Sequence, residues 1–482
     1  MLVPAFHAYH LGIYSEARPF FYSAVLFLLL AVMLGLSVKK KESSKIAPIR
    51  PVLFLATSYV LLPVMLAVPL SEILSQVTFI DLYFEMVSSL TTTGATSFDS
   101  GYLLSEPIHL WRALVGWIGG FLFLLIAFSV LAPLNLGGFE IFRESSLITG
   151  VFKSVDSKNY NERLFRHGKK LFPLYLIATV VIFILLLICG NRAFDSLCLA
   201  FSAVSTSGIL PYNDSNYLNV NGLSQLVISF ILICSLSHIF LVNTQQKIIK
   251  RLKSEREIRV ALILILSVFA FLSVWRMATY YSFPTEVFYL DEFSRELGAG
   301  LFTILSFITT TGFLTSSADK LISGMSGSVP FLILAGLSLI GGGVATTSGG
   351  IKLIRIYILF KHGKHELNKL SHPRSVSSYS SSHRQISHEG AFYAWIFFMV
   401  FTLTGGFLIL ILSFFDVDFK DAVAISISIL TTTGPLAPVI LNDFSYGSLS
   451  EVVKVALAIA MIIGRFEILV FIGLLNLGAW ER

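Results

Sequence analysis

Four short elements in this chain set hydroxyl-bearing residues directly before a glycine: Thr91-Thr92-Thr93-Gly94, Ser205-Thr206-Ser207-Gly208, Thr309-Thr310-Thr311-Gly312 and Thr431-Thr432-Thr433-Gly434. None of these side chains titrates near neutral pH, so the chemistry open to them is coordination by uncharged oxygen. Backbone carbonyls and hydroxyls that converge on one axis can replace the hydration shell of a weakly hydrated cation. Glycine contributes by admitting the positive φ that turns successive carbonyls one way, and by keeping a side chain out of the hole. A single such element reads equally well as a Thr-rich turn or a helix-packing glycine. Four at matching positions are harder to explain that way.

The four glycines are spaced by 114, 104 and 122 residues, the period of an array of domains. In each unit an apolar spanning segment is followed by an acidic outer stretch, a half-length apolar segment of about a dozen residues, the Thr-Gly element and a second span. A dozen residues cannot cross ~30 Å of hydrocarbon, so the half-length segment must dip in and return. Asp81, Asp195 and Asp421 each lie 13 positions before their glycine, with Ala299 in that place and Glu296 nearby in the third unit. An acid at the start of a short helix complements its dipole. Non-helical backbone at membrane depth is tolerated only where it is buried in protein or lines a watery path, so four re-entrant turns imply a path.

The elements that must carry these turns follow from composition. Of 482 residues 55% are hydrophobic and 13% charged, far too few charges for soluble domains. Nine apolar blocks are long enough to span: 20–37, 51–70, 109–132, 171–190, 224–244, 259–280, 328–360, 391–415 and 450–479. The segments 38–50, 133–170, 245–259 and 352–390 hold 25 Lys and Arg, whereas 71–108, 191–222, 281–327 and 416–450 hold 4, which makes the first set cytoplasmic. The outer set carries 16 acidic residues and concentrates cations. Topology thus accounts for the net charge of +6, and a nucleic-acid partner is not called for. The same orientation puts Met1 to Pro19 outside, and Leu2 to Phe6 read like the tail of an apolar helix, so a further helix is expected to precede them. The three cysteines, Cys189, Cys198 and Cys234, make no disulfide framework or metal spacing.

Together these readings give an all-α integral membrane protein of four tandem helix, re-entrant loop, helix domains set pseudo-fourfold around one ion pore. Residues 1–50 form an N-terminal helical segment, and the pore domains are 51–140, 171–250, 259–360 and 391–482. The candidate ion ligands are Thr92, Thr93, Gly94, Thr206, Ser207, Gly208, Thr310, Thr311, Gly312, Thr432, Thr433 and Gly434.

Two features lie on the inner side of these elements. Residues 341–350 place five glycines and three Thr or Ser in ten positions of an apolar stretch, where each interior glycine weakens a helix by ~1 kcal/mol. The helix should break there, into either close small-residue packing or a flexible steric gate built from Gly341, Gly342, Gly343, Ala345, Thr346, Thr347, Ser348, Gly349 and Gly350. Arg465 stands within the last span, where a charge costs ~2.5 kcal/mol or more. It either faces the pore and limits cation occupancy, or answers a helix-end carbonyl or Glu467. Apart from Arg465, Glu467 and His238, the spans read as nearly bare of ionisable groups, which argues against a membrane-embedded enzyme. The stretch 361–390, with His362, His365, His372, His383 and His388, reads as a solvated linker without metal-ligand spacing or as a docking surface. The rival function is a secondary transporter with discontinuous helices and a midplane substrate site, but that design expects inverted halves where four same-sense repeats are found.

Several motifs resemble one known family along essentially the whole chain. They are Leu90 to Thr96 (LTTTGAT), Trp111-Arg112 with Trp117-Ile118-Gly119-Gly120, Gly341 to Lys352 (GGGVATTSGGIK) and Gly464-Arg465-Phe466-Glu467. The chain resembles the TrkH subunits of the Trk, Ktr and HKT superfamily of potassium transporters. That resemblance implies potassium as substrate, no cofactor, and filter glycines at Gly94, Gly208, Gly312 and Gly434. It also implies a gate at 341–350, a homodimer in the bacterial cytoplasmic (inner) membrane, and control by a cytosolic nucleotide-binding subunit.

Overall fold

In the computed structural model the described residues are 1–37, 49–98, 104–131, 160–211, 218, 220–236, 256–282, 290–315, 329–371, 388–441 and 444–466. They are almost wholly helical. A short helix α1 (Leu2–His10) packs against α2 (Tyr14–Ser37), and α3 (Ile49–Ile73) follows. The first unit then runs through the half-length α4 (Phe79–Leu90) into α5 (Glu106–Ile126), which ends in a π-helical turn, Ala127–Leu131. The second unit is α6 (Tyr160–Ile188), α7 (Ala193–Ser205) and α8 (Gly222–Ser235). The third is α9 (Arg256–Ser282), α10 (Leu290–Ile308) and α11 (Val329–Ile340), continued past a break by α12 (Leu353–Ser371). The fourth is α13 (His388–Phe414), α14 (Phe419–Leu430), α15 (Leu436–Ile440) and α16 (Glu451–Phe466).

Half-length helices therefore stand where the sequence requires re-entry, with one difference. α4, α7 and α14 have 12, 13 and 12 residues, but α10 has 19. Its outer turns carry Glu296, which is drawn into the protein by Arg276 of α9 at 3.0 Å. Of the nine expected spans, six described helices are long and apolar enough to cross a membrane. The stretch 328–360 is interrupted at Ile340, and the described parts of 224–244 and 450–479 are shorter, their inner ends lying outside the described residues along with His238 and Glu467. The expected linker at 361–390 begins as helix, since α12 continues to Ser371.

The half-length helices are wedged between spans: α4 between α3 and α5 and α14 between α13 and α16 of their own units, whereas α7 packs against α6 and α8 of its own unit and also against α5 of the first. Small residues make this possible. A Cβ on Gly119 of α5 would fall 2.0 Å from the Leu90 carbonyl oxygen at the end of α4, and one on Gly464 of α16 would fall 2.7 Å from that of Leu430 at the end of α14. The outward faces of α2, α6, α9 and α13 carry exposed Leu, Ile, Val and Phe, as lipid contact demands. The buried apolar side chains of the first and fourth units merge into one cluster through Leu82, Phe84, Leu457 and Met461.

Candidate ion pore

Each half-length helix ends in the same backbone device. Thr92, Thr206, Thr310 and Thr432 have φ of 55°, 52°, 55° and 54°, a left-handed conformation rare for a β-branched residue. Strain of this kind persists only where the surroundings over-determine it. Here the third residue of every element donates its N–H to the carbonyl six positions before the glycine: Thr93 to Ser88 at 2.8 Å, Ser207 to Ser202 at 3.0 Å, Thr311 to Ser306 at 2.9 Å, Thr433 to Ser428 at 2.8 Å. Hydroxyl pairs Thr91–Thr93, Thr309–Thr311 and Thr431–Thr433, at 2.8, 3.0 and 3.2 Å, repeat the pattern in three units. In the second, which has Ser for two of the three Thr, Ser207 Oγ lies 3.3 Å from Ser202 Oγ instead.

The four elements touch in order. A Cβ on Gly94 would lie 2.1 Å from the Ser207 carbonyl oxygen, and one on Gly208 2.1 Å from that of Thr311. A Cβ on Gly312 would lie 3.1 Å from the Pro435 ring, and one on Gly434 2.1 Å from the Ala95 nitrogen. Gly94, Gly208 and Gly312 have φ of 74°, 69° and 81°, as expected of glycines that turn carbonyls. Gly434 departs from that expectation by lying outside the left-handed region. The cause is at the junction with the first unit, where the Gly434 N–H donates to the Thr93 carbonyl at 2.6 Å and the Gly434 carbonyl is held by Tyr446 Oη at 2.9 Å. All twelve candidate ion ligands except the glycines are at most 1% exposed. Four helix C-termini, the negative ends of their dipoles, run into this one place, a field that favours cations.

The glycine-rich stretch breaks the helix as expected and folds against the inner side of the same elements. Gly341, Ala345 and Gly350 adopt φ of 69°, 57° and 78°. Thr206 Oγ1 donates to Thr347 Oγ1 at 3.0 Å, and the Gly349 N–H donates to Thr310 Oγ1 at 2.8 Å. A Cβ on Gly349 would fall 2.3 Å from Thr432 Oγ1, and one on Gly342 2.1 Å from Ser348 Oγ. Thr346 Oγ1 bonds the Gly343 carbonyl at 2.7 Å and Ser348 Oγ at 2.6 Å. The hydroxyls of Thr92 and Thr432 are buried without a hydrogen-bond partner, two oxygens free to face a cation.

Arg465 reaches this loop. Its Nη1 donates to the Thr347 carbonyl at 2.5 Å, and its guanidinium lies 3.9 Å from the Phe123 ring centre of α5. The carbonyl it answers belongs to the loop and not to a helix end, and Glu467 lies outside the described residues. Sequence reasoning missed Glu257 at the inner end of α9, 3% exposed, whose Oε1 accepts the Val344 N–H at 2.9 Å. One of two acids, Glu255 and Glu257, at a helix start among six Lys and Arg carries no signal of such a role.

The expectation of spans nearly bare of charge is overturned. Glu85 of α4 meets Arg112 Nε at 2.5 Å and accepts from the Ser97 N–H at 3.0 Å. Arg276 clasps Glu296, Lys352 donates to the Ser348 carbonyl, Arg355 lies 3.9 Å over the Phe397 ring, and Lys454 meets Asp81 at 2.5 Å. Each has a partner, as buried charge requires, so they buttress the elements. Among the described residues no three His, Cys, Asp or Glu group as a metal site, and the cysteines are free thiols.

Comparison with known proteins supports the same architecture. Residues 20–475 match the TrkH family, described as cation transport proteins. The Trk system potassium uptake protein TrkG of Escherichia coli K12 is 31% identical over 418 residues, covering 85% of this chain and 81% of that protein. TrkH of Salmonella typhimurium is 28% identical over 409 residues, 84% of this chain and 80% of its own length. The crystal structure of the potassium transporter TrkH from Vibrio parahaemolyticus superposes with a TM-score of 0.81 at 22% identity, covering 99% of this chain and 95% of that one, which establishes a shared fold. The chain belongs to the TrkH family of cation transport proteins.

Proposed function

We propose that this multi-pass membrane protein takes up potassium across the cytoplasmic membrane through a channel-like path lined by four filter elements. The observation that carries this reading is the closed order of contacts, Gly94 on Ser207, Gly208 on Thr311, Gly312 on Pro435 and Gly434 on Ala95. With it goes the left-handed threonine repeated at Thr92, Thr206, Thr310 and Thr432. In this reading the pore domains are 51–140, 171–250, 259–360 and 391–482, pseudo-fourfold about one axis. Oxygens of the twelve filter residues strip and replace the shell of an ion whose dehydration is cheap, and the names of the Trk relatives support potassium as that ion.

The loop 341–350 is the gate. It crosses beneath three of the four elements and is tied to them by Thr347 and Gly349, so an ion leaving the filter inward meets it first. Arg465 holds the loop from one side and places positive charge against the exit. Resemblance to the superfamily supports a homodimer with a cytosolic nucleotide-binding subunit on the basic face.

The test is uptake of potassium by purified protein in liposomes with sodium and rubidium as competitors. Preference for potassium and rubidium over sodium is expected. Absence of cation flux, with or without a cytosolic partner, would favour the secondary transporter with a midplane site.

A further inference from the structure

Six positions before each filter glycine stands a serine: Ser88, Ser202, Ser306 and Ser428. All four are at most 1% exposed. A hydroxyl inside a helix ordinarily bonds back to its own turn, as Thr91 Oγ1 does to the Val87 carbonyl at 2.8 Å and Thr431 Oγ1 to that of Ile427 at 2.7 Å. Two of the serines bond forward instead, to the backbone of the filter. Ser88 Oγ donates to the Ala95 carbonyl at 2.6 Å. Ser428 Oγ lies 2.8 Å from the Thr433 carbonyl oxygen, 3.0 Å from that of Gly434 and 2.9 Å from Tyr446 Oη, while Tyr446 Oη lies 2.9 Å from the Gly434 carbonyl. Two hydroxyl protons thus serve two carbonyls, Ser428 on Thr433 and Tyr446 on Gly434. Burial pushes the Tyr446 phenol up from its ordinary range, so its proton is always present to donate. Ser202 Oγ accepts from Ser207 Oγ at 3.3 Å, and Ser306 Oγ has no hydrogen-bond partner.

We propose that Ser88, Ser428 and Tyr446 are positioning residues for ion selection: they hold the carbonyls of Ala95, Thr433 and Gly434 from behind and fix how closely the filter can contract. The inference rests on the filter reading and deepens it. Sodium is the smaller ion and needs oxygens nearer the axis. A carbonyl bonded at its back to a buried hydroxyl resists that inward movement, and one released from the hydroxyl follows the smaller ion in. Their removal should therefore act on the ratio of potassium to sodium more than on the rate of potassium entry.

The experiment measures potassium uptake into proteoliposomes against sodium competition for wild type, Ser88→Ala, Ser428→Ala, Tyr446→Phe, Ser306→Ala and Gly94→Ser. Tyr446→Phe removes one oxygen at constant shape and serves where Ser428→Ala fails to fold. Each of the three positioning variants is expected to lower the ratio about fivefold, the equivalent of one net hydrogen bond of about 1 kcal/mol. Ser306→Ala, whose hydroxyl bonds no carbonyl, is expected to leave it in place. A ratio within twofold of wild type in all three, with Gly94→Ser altered, overturns the positioning role and spares the filter. Equal loss in Ser306→Ala overturns the carbonyl mechanism. An unaltered ratio in Gly94→Ser overturns the filter reading beneath it.

Discussion

Replacing Gly94 by Ser should make the path accept sodium. Gly94 has φ of 74°, which costs an L-residue about 1–2 kcal/mol. Its new Cβ would sit 2.1 Å from the Ser207 carbonyl oxygen of the next unit. Ordinary carbon–oxygen contact requires that oxygen to retreat by about 1 Å, a distance over which dispersion and coordination geometry change steeply. One quadrant of the ring then loses its place. If that quadrant supplies about 1–2 kcal/mol of the preference, on the scale of a single well-made oxygen contact, the potassium-to-sodium ratio falls about five- to thirtyfold. The assay is uptake by proteoliposomes under sodium competition, with Gly190→Ala as control. Gly190 has φ of 89° and nothing within 4 Å of its Cβ, so that variant carries the backbone strain alone. A folded Gly94→Ser protein with the ratio of wild type would refute the reasoning, as would an equal change in Gly190→Ala.

Three further perturbations test the parts around the filter. Arg465→Gln removes the charge at the exit and the bond to the Thr347 carbonyl, so basal potassium flux should rise several-fold with the ratio intact; loss of folded protein by size exclusion would assign Arg465 to structure instead. Glu257→Ala strips the Val344 N–H of its acceptor at a buried position, a cost of about 1–3 kcal/mol to the closed loop, and flux should again rise; a stable variant with wild-type flux would mean the loop is held by Thr347 and Gly349 alone. Lys454→Met leaves Asp81 facing a buried apolar side chain and should lower stability by about 3 kcal/mol, while the double variant with Asp81→Asn should regain much of it in thermal unfolding; equal losses in the two would show that the ion pair does not clasp the units.

The repeat was legible because it is written in residue type and period. Glycines a domain apart, preceded by hydroxyl residues and by an acid 13 positions upstream, locate three half-length helices closely and the left-handed threonines that end all four helices. The helix break at 341–350 was legible for the same reason, since glycine density is a local property. What the sequence hid depends on which repeats meet. Arg112 and Glu85, or Lys454 and Asp81, each look like an unpaired charge in an apolar block until the fold brings them within 2.5 Å. The serines at Ser88, Ser202, Ser306 and Ser428 share a register that could have been found by aligning the four elements backward from their glycines, but a buried serine carries no compositional signal.

The departure of Gly434 has a topological cause. Around the closed order of contacts, units one to two, two to three and three to four are joined by chain, whereas the fourth meets the first only through space. A junction without a covalent link must be held by contacts, and this one collects them. α16 packs against both α3 and α4, the cores of the two units merge, and Lys454 of α16 pairs with Asp81 of α4 while donating to the Gly447 carbonyl at 2.8 Å. The bond from the Gly434 N–H to the Thr93 carbonyl belongs to the same set, and it is the one inter-unit backbone hydrogen bond between the described filter elements. Making it turns the peptide at Gly434 away from the left-handed geometry of its three counterparts and commits one filter carbonyl, Thr93, to a neighbour's amide. The carbonyls of Thr433 and Gly434, on either side of that N–H, are taken up by Ser428 and Tyr446. The four glycines thus fall into three of one kind and one of another, because the junction of the last unit with the first is held by contacts that the other three do not make.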